Sequence, residues 1–174
     1  AERLFSAANR YSAGAGTEFV VARYGNILGS QGSVLHAFAH QAISGQLQIT
    51  DRQCTRFSML LPEAVEFVLN TLHNAKAGHL WVPRLPSYRL LDLAEAFTRV
   101  HGLKQPPVVI GKRPAEKVHE LLVGPDESSS CKSEDKDRFI LEPGKVHCDG
   151  GWKFCSDSQN SRKFTVEELE AMIS

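Results

Sequence analysis

Two arginines in matching local contexts are the side chains of this sequence best suited to chemistry. Arg56 lies in Thr50-Asp51-Arg52-Gln53-Cys54-Thr55-Arg56-Phe57, and Arg113 in Lys112-Arg113-Pro114-Ala115-Glu116-Lys117. Each stands where a strand-like run gives way to a helix-like one. A guanidinium is a planar fork that can donate two parallel hydrogen bonds to phosphate oxygens, so two brought together would suit a diphosphate. The same side chains could instead form solvated ion pairs with Asp51 and Glu116, the ordinary fate of such residues. Asn26, in the polar turn Arg23–Gly29, is either a ligand group or a turn cap. The segment Gly29-Ser30-Gln31-Gly32-Ser33 opens a predicted helix whose free amides favour anions. It is not a Walker motif, because the Gly-Lys-Ser/Thr ending is missing.

Other reactive side chains carry less. The four cysteines (Cys54, Cys131, Cys148, Cys155) include no Cys-x-x-Cys pair, and His147, Cys148 and Cys155 match no zinc spacing. Reduced thiols and no metal are expected. His36, His40 and His119 fall on predicted helices without partners that suggest a triad. His119-Glu120 lacks the second histidine of a metalloprotease motif. Arg23 reads as a structural ion-pair partner.

The 174 residues fit one domain with a real core. Twenty basic residues against 20 acidic ones give a formal net charge of +0, which argues against a general polyanion binder and for a small anion at the arginines. No apolar run approaches a membrane span and no signal peptide opens the chain, so a soluble cytoplasmic protein is expected. Ala1–Asn9 starts in mid-helix without an N-cap and reads as the end of something longer.

The elements that must position these residues alternate between strand and helix, which makes the class α/β. A helix over Ala1 to about Tyr11 precedes Phe19–Ala22, an apolar strand of the kind buried in a parallel sheet. The strand leads into the polar turn at the carboxyl edge, where ligands bind in such sheets. A helix after Ser33, with Val34, Leu35, Phe38, Ala39, Ala42 and Ile43 at helical spacing, stops at Gly45. Gln46–Thr50 alternates as a half-buried strand. Pro62 opens a helix to about His73 with Ala64, Val65, Phe67, Val68 and Leu72 inward. Leu80–Val82 is a strand, Leu90–Val100 an amphipathic helix, and Pro107–Ile110 a strand. Pro114 opens a helix through Leu122. The polar run Asp126–Asp135 reads as a flexible loop, Phe139–Leu141 as a short strand, and Thr165 with Glu168 as the capping box of a terminal helix.

Five blocks then fall in a familiar order: Arg23-Tyr24-Gly25-Asn26-Ile27-Leu28-Gly29-Ser30-Gln31-Gly32-Ser33-Val34, Thr50-Asp51 with Thr55-Arg56-Phe57, Pro62-Glu63-Ala64-Val65, Leu91-Asp92-Leu93-Ala94-Glu95-Ala96, and Arg113-Pro114-Ala115-Glu116-Lys117-Val118-His119-Glu120. Together they resemble the carboxy-terminal half of bacterial UDP-N-acetylglucosamine 4,6-dehydratases. These are extended short-chain dehydrogenase/reductases of capsule, O-antigen and flagellin-glycan synthesis. The tail Ser158–Leu169 is similar to the capsule and O-antigen branch.

The resemblance implies an enzyme in which NADP(H) takes hydride from carbon 4 of the sugar, a base removes the carbon 5 proton, water leaves from carbon 6, and the hydride returns there. By family analogy Asn26 and the Gly32-Ser33-Val34 helix start lie near the UDP-sugar. Ile49 and Thr50 lie beside the uracil, Arg56 and Arg113 on the diphosphate, Glu116 at the nucleotide end, and Tyr24 and Gly25 on the nicotinamide side. The family's Gly-rich fingerprint, Tyr-x-x-x-Lys pair and acid/base pair precede the position of Ala1. Tyr11 is followed by Ala15 and Tyr24 by Leu28, so neither supplies the pair. The implied fold is therefore the substrate-binding portion, lacking most of the Rossmann sheet, with no catalytic residue of its own and no NADP bound by this chain alone. The expected division is 1–30 as remnant of the dinucleotide-binding domain, 31–124 as nucleotide-sugar-binding region, and 125–174 as loop and tail. A UDP-sugar is the implied ligand, and a homo-oligomer through the first helix or the Phe19–Ala22 edge is a further expectation. The alternatives are a non-catalytic UDP-sugar-binding module and a structural or assembly piece. Gln31, Arg52, Cys54, Ser58 and Ala115 depart from the family's usual arginine, proline, methionine, phenylalanine and glycine.

Overall fold

Gly-bounded alternation of apolar and polar runs produces short strands and helices throughout the computed structural model, which describes residues 1–12, 14–134, 136–159 and 161–174. Helix α1 (Glu2–Ala8) ends at Asn9, earlier than Tyr11. The Asn9 amide then grips the backbone of Phe19 both ways, accepting its N–H at 2.8 Å and donating to its carbonyl at 2.9 Å. That clamp sets the entry to β1 (Val21–Ala22), which is shorter than the apolar run suggests. The polar turn beyond it contains a strand of its own, β2 (Asn26–Ile27). Then come α2 (Val34–Ala42), β3 (Gln48–Ile49), β4 (Thr55–Met59) and α3 (Leu61–Asn74). They are followed by β5 (Leu80–Pro83), β6 (Ser87–Arg89), α4 (Leu90–Val100) and β7 (Val108–Val109).

The helix expected from Pro114 to Leu122 is absent. Pro114 and Ala115 form a turn, and β8 (Leu121–Val123) follows. Ala115 sits at φ 62°, alone in positive φ among the described non-glycine residues, and a left-handed residue cannot continue a right-handed helix. Local bonds supply what the helix would have: the Glu116 N–H donates to the Arg113 carbonyl, and its carboxylate accepts the Arg113 N–H, both at 3.1 Å. The expected loop at 126–135 also carries structure, α5 (Pro125–Ser128) and β9 (Cys131–Glu134), with Asp135 outside the described residues. Glu127 explains the local order, since its carboxylate caps the Gly124 N–H at 2.9 Å. Strands β10 (Arg138–Leu141) and β11 (Phe154–Cys155) follow. Helix α6 (Val166–Ile173) opens with the predicted reciprocal bonds between Thr165 and Glu168.

By contacts the chain divides into two units, each assembled from three segments. The first comprises Ala1–Tyr24, Pro62–Arg84 and Leu121–Cys155. Its sheet has the order β1-β5-β10-β9, with β1 parallel to β5 and the other pairs antiparallel; β11 pairs with β8. Arg23 is its pin: the guanidinium reaches both oxygens of Glu2 and of Glu127 and the Leu122 carbonyl. On α3 the residues turned inward are Ala64 and Thr71, while Val65, Val68 and Leu72, expected inside, are exposed. Periodicity fixes which side chains share a helical face, but not which of two apolar faces a neighbour covers.

The second unit comprises Gly25–Leu61, Leu85–Glu120 and Ser156–Ser174. Its core gathers Phe38, Leu47, Ile49, Leu93, Phe97 and Leu169, with α6 packed along α4. Strand β4 lies between β2 (parallel, Asn26 opposite Ser58) and β6 (antiparallel, Arg56 opposite Tyr88). Strand β3 pairs in parallel with β7, Ile49 opposite Val109.

Candidate functional site

A cavity of about 450 Å³ opens within the second unit. Register builds most of its wall. The pairing of β2 with β4 puts Asn26 next to Ser58, and the pairing of β4 with β6 puts Arg56 next to Tyr88. The start of α2 supplies Gly32, Ser33 and Val34, the end of β3 supplies Ile49 and Thr50, and the turn after β7 supplies Arg113 and Glu116. All nine residues that the sequence assigned to a nucleotide-sugar therefore line one cavity, although they are spread over some 90 positions of chain.

Glu116 is the hub of the polar side. Its Oε1 accepts from the Thr50 hydroxyl at 2.7 Å and lies 3.4 Å from Arg56 Nη2. The Thr50 hydrogen bond is the main reason its carboxyl is held below the ordinary glutamate range, with the Arg113 amide and the two guanidinium charges adding. Arg56 is more committed than a free phosphate fork would be. Its Nη1 donates to the carbonyls of Thr55 (2.9 Å) and Val118 (3.0 Å), and its Nε lies 3.8 Å from Glu120. The ion-pair alternative to the diphosphate role is thus realised with Glu116, while Asp51 pairs with Lys112 instead. Arg113 differs: its backbone, not its guanidinium, binds Glu116, and the side chain is exposed.

The two arginines and two glutamates cancel formally. Attraction for an anion rests on Arg113 and on the amides at the start of α2. The hydroxyl of Ser33, the N-cap residue, makes no capping bond and is buried without a hydrogen-bond partner among the described residues. A buried hydroxyl left this way costs free energy that rotation toward a ligand would recover. Phe38, Ile49, Tyr88 and Leu90 give the cavity an apolar floor, and burial raises the Tyr88 phenol so that it stays protonated.

Tyr24 and Gly25 do not line this cavity. Tyr24 packs edge-on against Phe67, ring centroids 6.5 Å apart. Gly25 is required for space, because a Cβ there would lie 2.7 Å from that of Phe57. Glu120 and Tyr88 are among the wall residues to which sequence reasoning gave no role. For Glu120, which stood in the fifth block without a role, its spacing of four from Glu116 was the available signal.

Residues 1–142 match the family model described as polysaccharide biosynthesis protein. The chain belongs to that family. The chain is 38% identical over 129 residues to a UDP-N-acetylglucosamine 4,6-dehydratase (inverting) from Campylobacter jejuni subsp. jejuni, a match covering 73% of this chain and 37% of that protein. It is 35% identical over 185 residues to a UDP-glucose 4-epimerase from Rickettsia typhi, covering 99% of this chain and 54% of the relative. Among solved structures, Pen from Bacillus thuringiensis superposes with a TM-score of 0.86 at 31% identity, over 99% of this chain and 53% of that one. The α/β fold expected from the sequence is the one shared with Pen, and the chain spans about half the length of these relatives or less.

Proposed function

We propose that this chain is the nucleotide-sugar-binding portion of a UDP-N-acetylglucosamine 4,6-dehydratase for surface polysaccharide synthesis, inactive by itself. The observation that carries the reading is the convergence of Asn26, the α2 start, Thr50, Arg113 and Glu116 on one cavity of nucleotide size. Both curated relatives act on UDP-sugars by their names, which supports UDP as the common handle. In this reading Arg113 and the α2 amides take the diphosphate. Arg56 acts as a fixed positive charge behind them, and the apolar floor receives the base or the sugar ring. NADP belongs to the parent enzyme in this reading, with Tyr24 and Gly25 toward its nicotinamide side. No disulfide joins the cysteines among the described residues, which suits a reducing cytoplasmic setting. The epimerase similarity favours a second reading, in which the sugar is UDP-glucose and the reaction differs while the site is the same.

Calorimetric titration with UDP-N-acetylglucosamine and with UDP-glucose tests this. Saturable binding weakened at least about tenfold by Arg113→Ala is expected, one charge-assisted bond being worth that much. No saturable binding to either, or binding indifferent to Arg113→Ala, would overturn the proposal. The ratio of the two affinities chooses between the readings.

A further inference from the structure

Both oxygens of Glu120 are occupied. Oε1 accepts from Asn26 Nδ2 at 2.7 Å, and Oε2 accepts the Phe57 N–H at 2.9 Å. The residue is fixed from behind as well, its own N–H donating to Ser156 Oγ at 2.8 Å. The Phe57 amide belongs to β4, so its bond ties the Glu120 carboxylate to the strand. An ionised carboxylate only accepts hydrogen bonds. The side-chain amide of Asn26 therefore has one permitted orientation, nitrogen toward Glu120, with Oδ1 left over on a residue that lines the cavity.

We infer that Glu120 sets the hydrogen-bond polarity of Asn26, so that the cavity offers an acceptor there and selects sugars that bring a donor, a hydroxyl or an acylamino N–H, to that point. This rests on the nucleotide-sugar reading of the same cavity. Glu120 is a positioning residue: it acts through Asn26 and touches no ligand itself in this scheme. A group that can only accept, such as a carbonyl, meets Oδ1 oxygen to oxygen and is rejected.

Reversing the polarity of the pair tests the idea. In Glu120→Gln the new amide keeps its oxygen on the Phe57 N–H and turns its NH₂ toward Asn26, which must flip and present nitrogen to the cavity. Adding Asn26→Asp gives a carboxylate that accepts from the introduced amide and again presents oxygen, with the total charge of the pair unchanged. Calorimetry on the full chain with UDP-N-acetylglucosamine should show about a tenfold loss for E120Q and recovery to within about threefold of wild type for N26D/E120Q. A purely structural role for Glu120 predicts no recovery. Should E120Q not fold, the double variant, all of whose hydrogen bonds are met, carries the comparison alone. An unaffected E120Q, or a double variant at or below the single one, overturns the inference. Wild type that fails to bind the nucleotide-sugar overturns instead the reading beneath it.

Discussion

Ala115→Gly should stabilise this protein, against the usual direction for a glycine substitution. The residue sits at φ 62° between Arg113 and Glu116, where an L-residue brings its Cβ against the following carbonyl. That conformation costs a non-glycine residue about 1–2 kcal/mol, and the added freedom of glycine in the unfolded chain gives back about 0.5–1 kcal/mol. Ala115 is exposed, so losing its methyl forfeits little buried apolar surface. The net gain should be about 0.5–1 kcal/mol, or a rise of about 1–4 °C in thermal midpoint for a chain of this length. Differential scanning calorimetry backed by urea unfolding would measure it. A midpoint that falls would refute the reasoning, because it would mean that the turn is not held in the left-handed region, or that the helix expected from the sequence forms after all.

Arg56→Ala and Arg113→Ala should separate. The former strips a cation from Glu116 and Glu120 and donors from two carbonyls, and should destabilise by about 1–3 kcal/mol in urea unfolding; the latter should weaken only ligand binding. Ser33→Ala should change stability by less than about 0.5 kcal/mol, below the roughly 1 kcal/mol of a working cap, yet reduce nucleotide-sugar affinity in calorimetry. Equal stability losses for Ser33→Ala and Thr165→Ala, which removes a formed cap, would contradict this. Glu142 gathers Lys132, His147, His79 and Lys145, and these hold its carboxyl down to about 2. With a folded value below the unfolded one, its contribution is present above the ordinary glutamate range and is lost as pH falls from there to about 2. Glu142→Gln should accordingly flatten the acid limb of a stability–pH curve followed by circular dichroism.

Local chemistry was legible wherever it is settled by neighbours in sequence. The capping box at Thr165 and Glu168, the strand at Leu80–Pro83 and the helix at Leu90–Val100 all follow from patterns that a few residues complete. The nine cavity residues were legible for another reason: their ordered motifs carry a resemblance, and the comparisons place the chain in the same family. Pro114–Leu122 misled because proline at a first turn and apolar spacing both favour a helix, while the backbone angle of one alanine, which no pattern states, forbids it. The ordering of 126–134 misled likewise, since polar composition predicts a loop and cannot foresee Glu127 reaching both Gly124 and Arg23.

By itself, then, the sequence determined the α/β class, the family, and which side chains are chemically equipped to meet a diphosphate. Only the tertiary structure decided how they are disposed. Arg56 is spent on two carbonyls and two carboxylates while Arg113 remains exposed. Asn26 is turned by a glutamate 94 residues away, and Tyr24 and Gly25 do not line the cavity. The physical reason is that residue type fixes what a group can donate or accept, whereas strand register and turn geometry fix which partner is within hydrogen-bond reach.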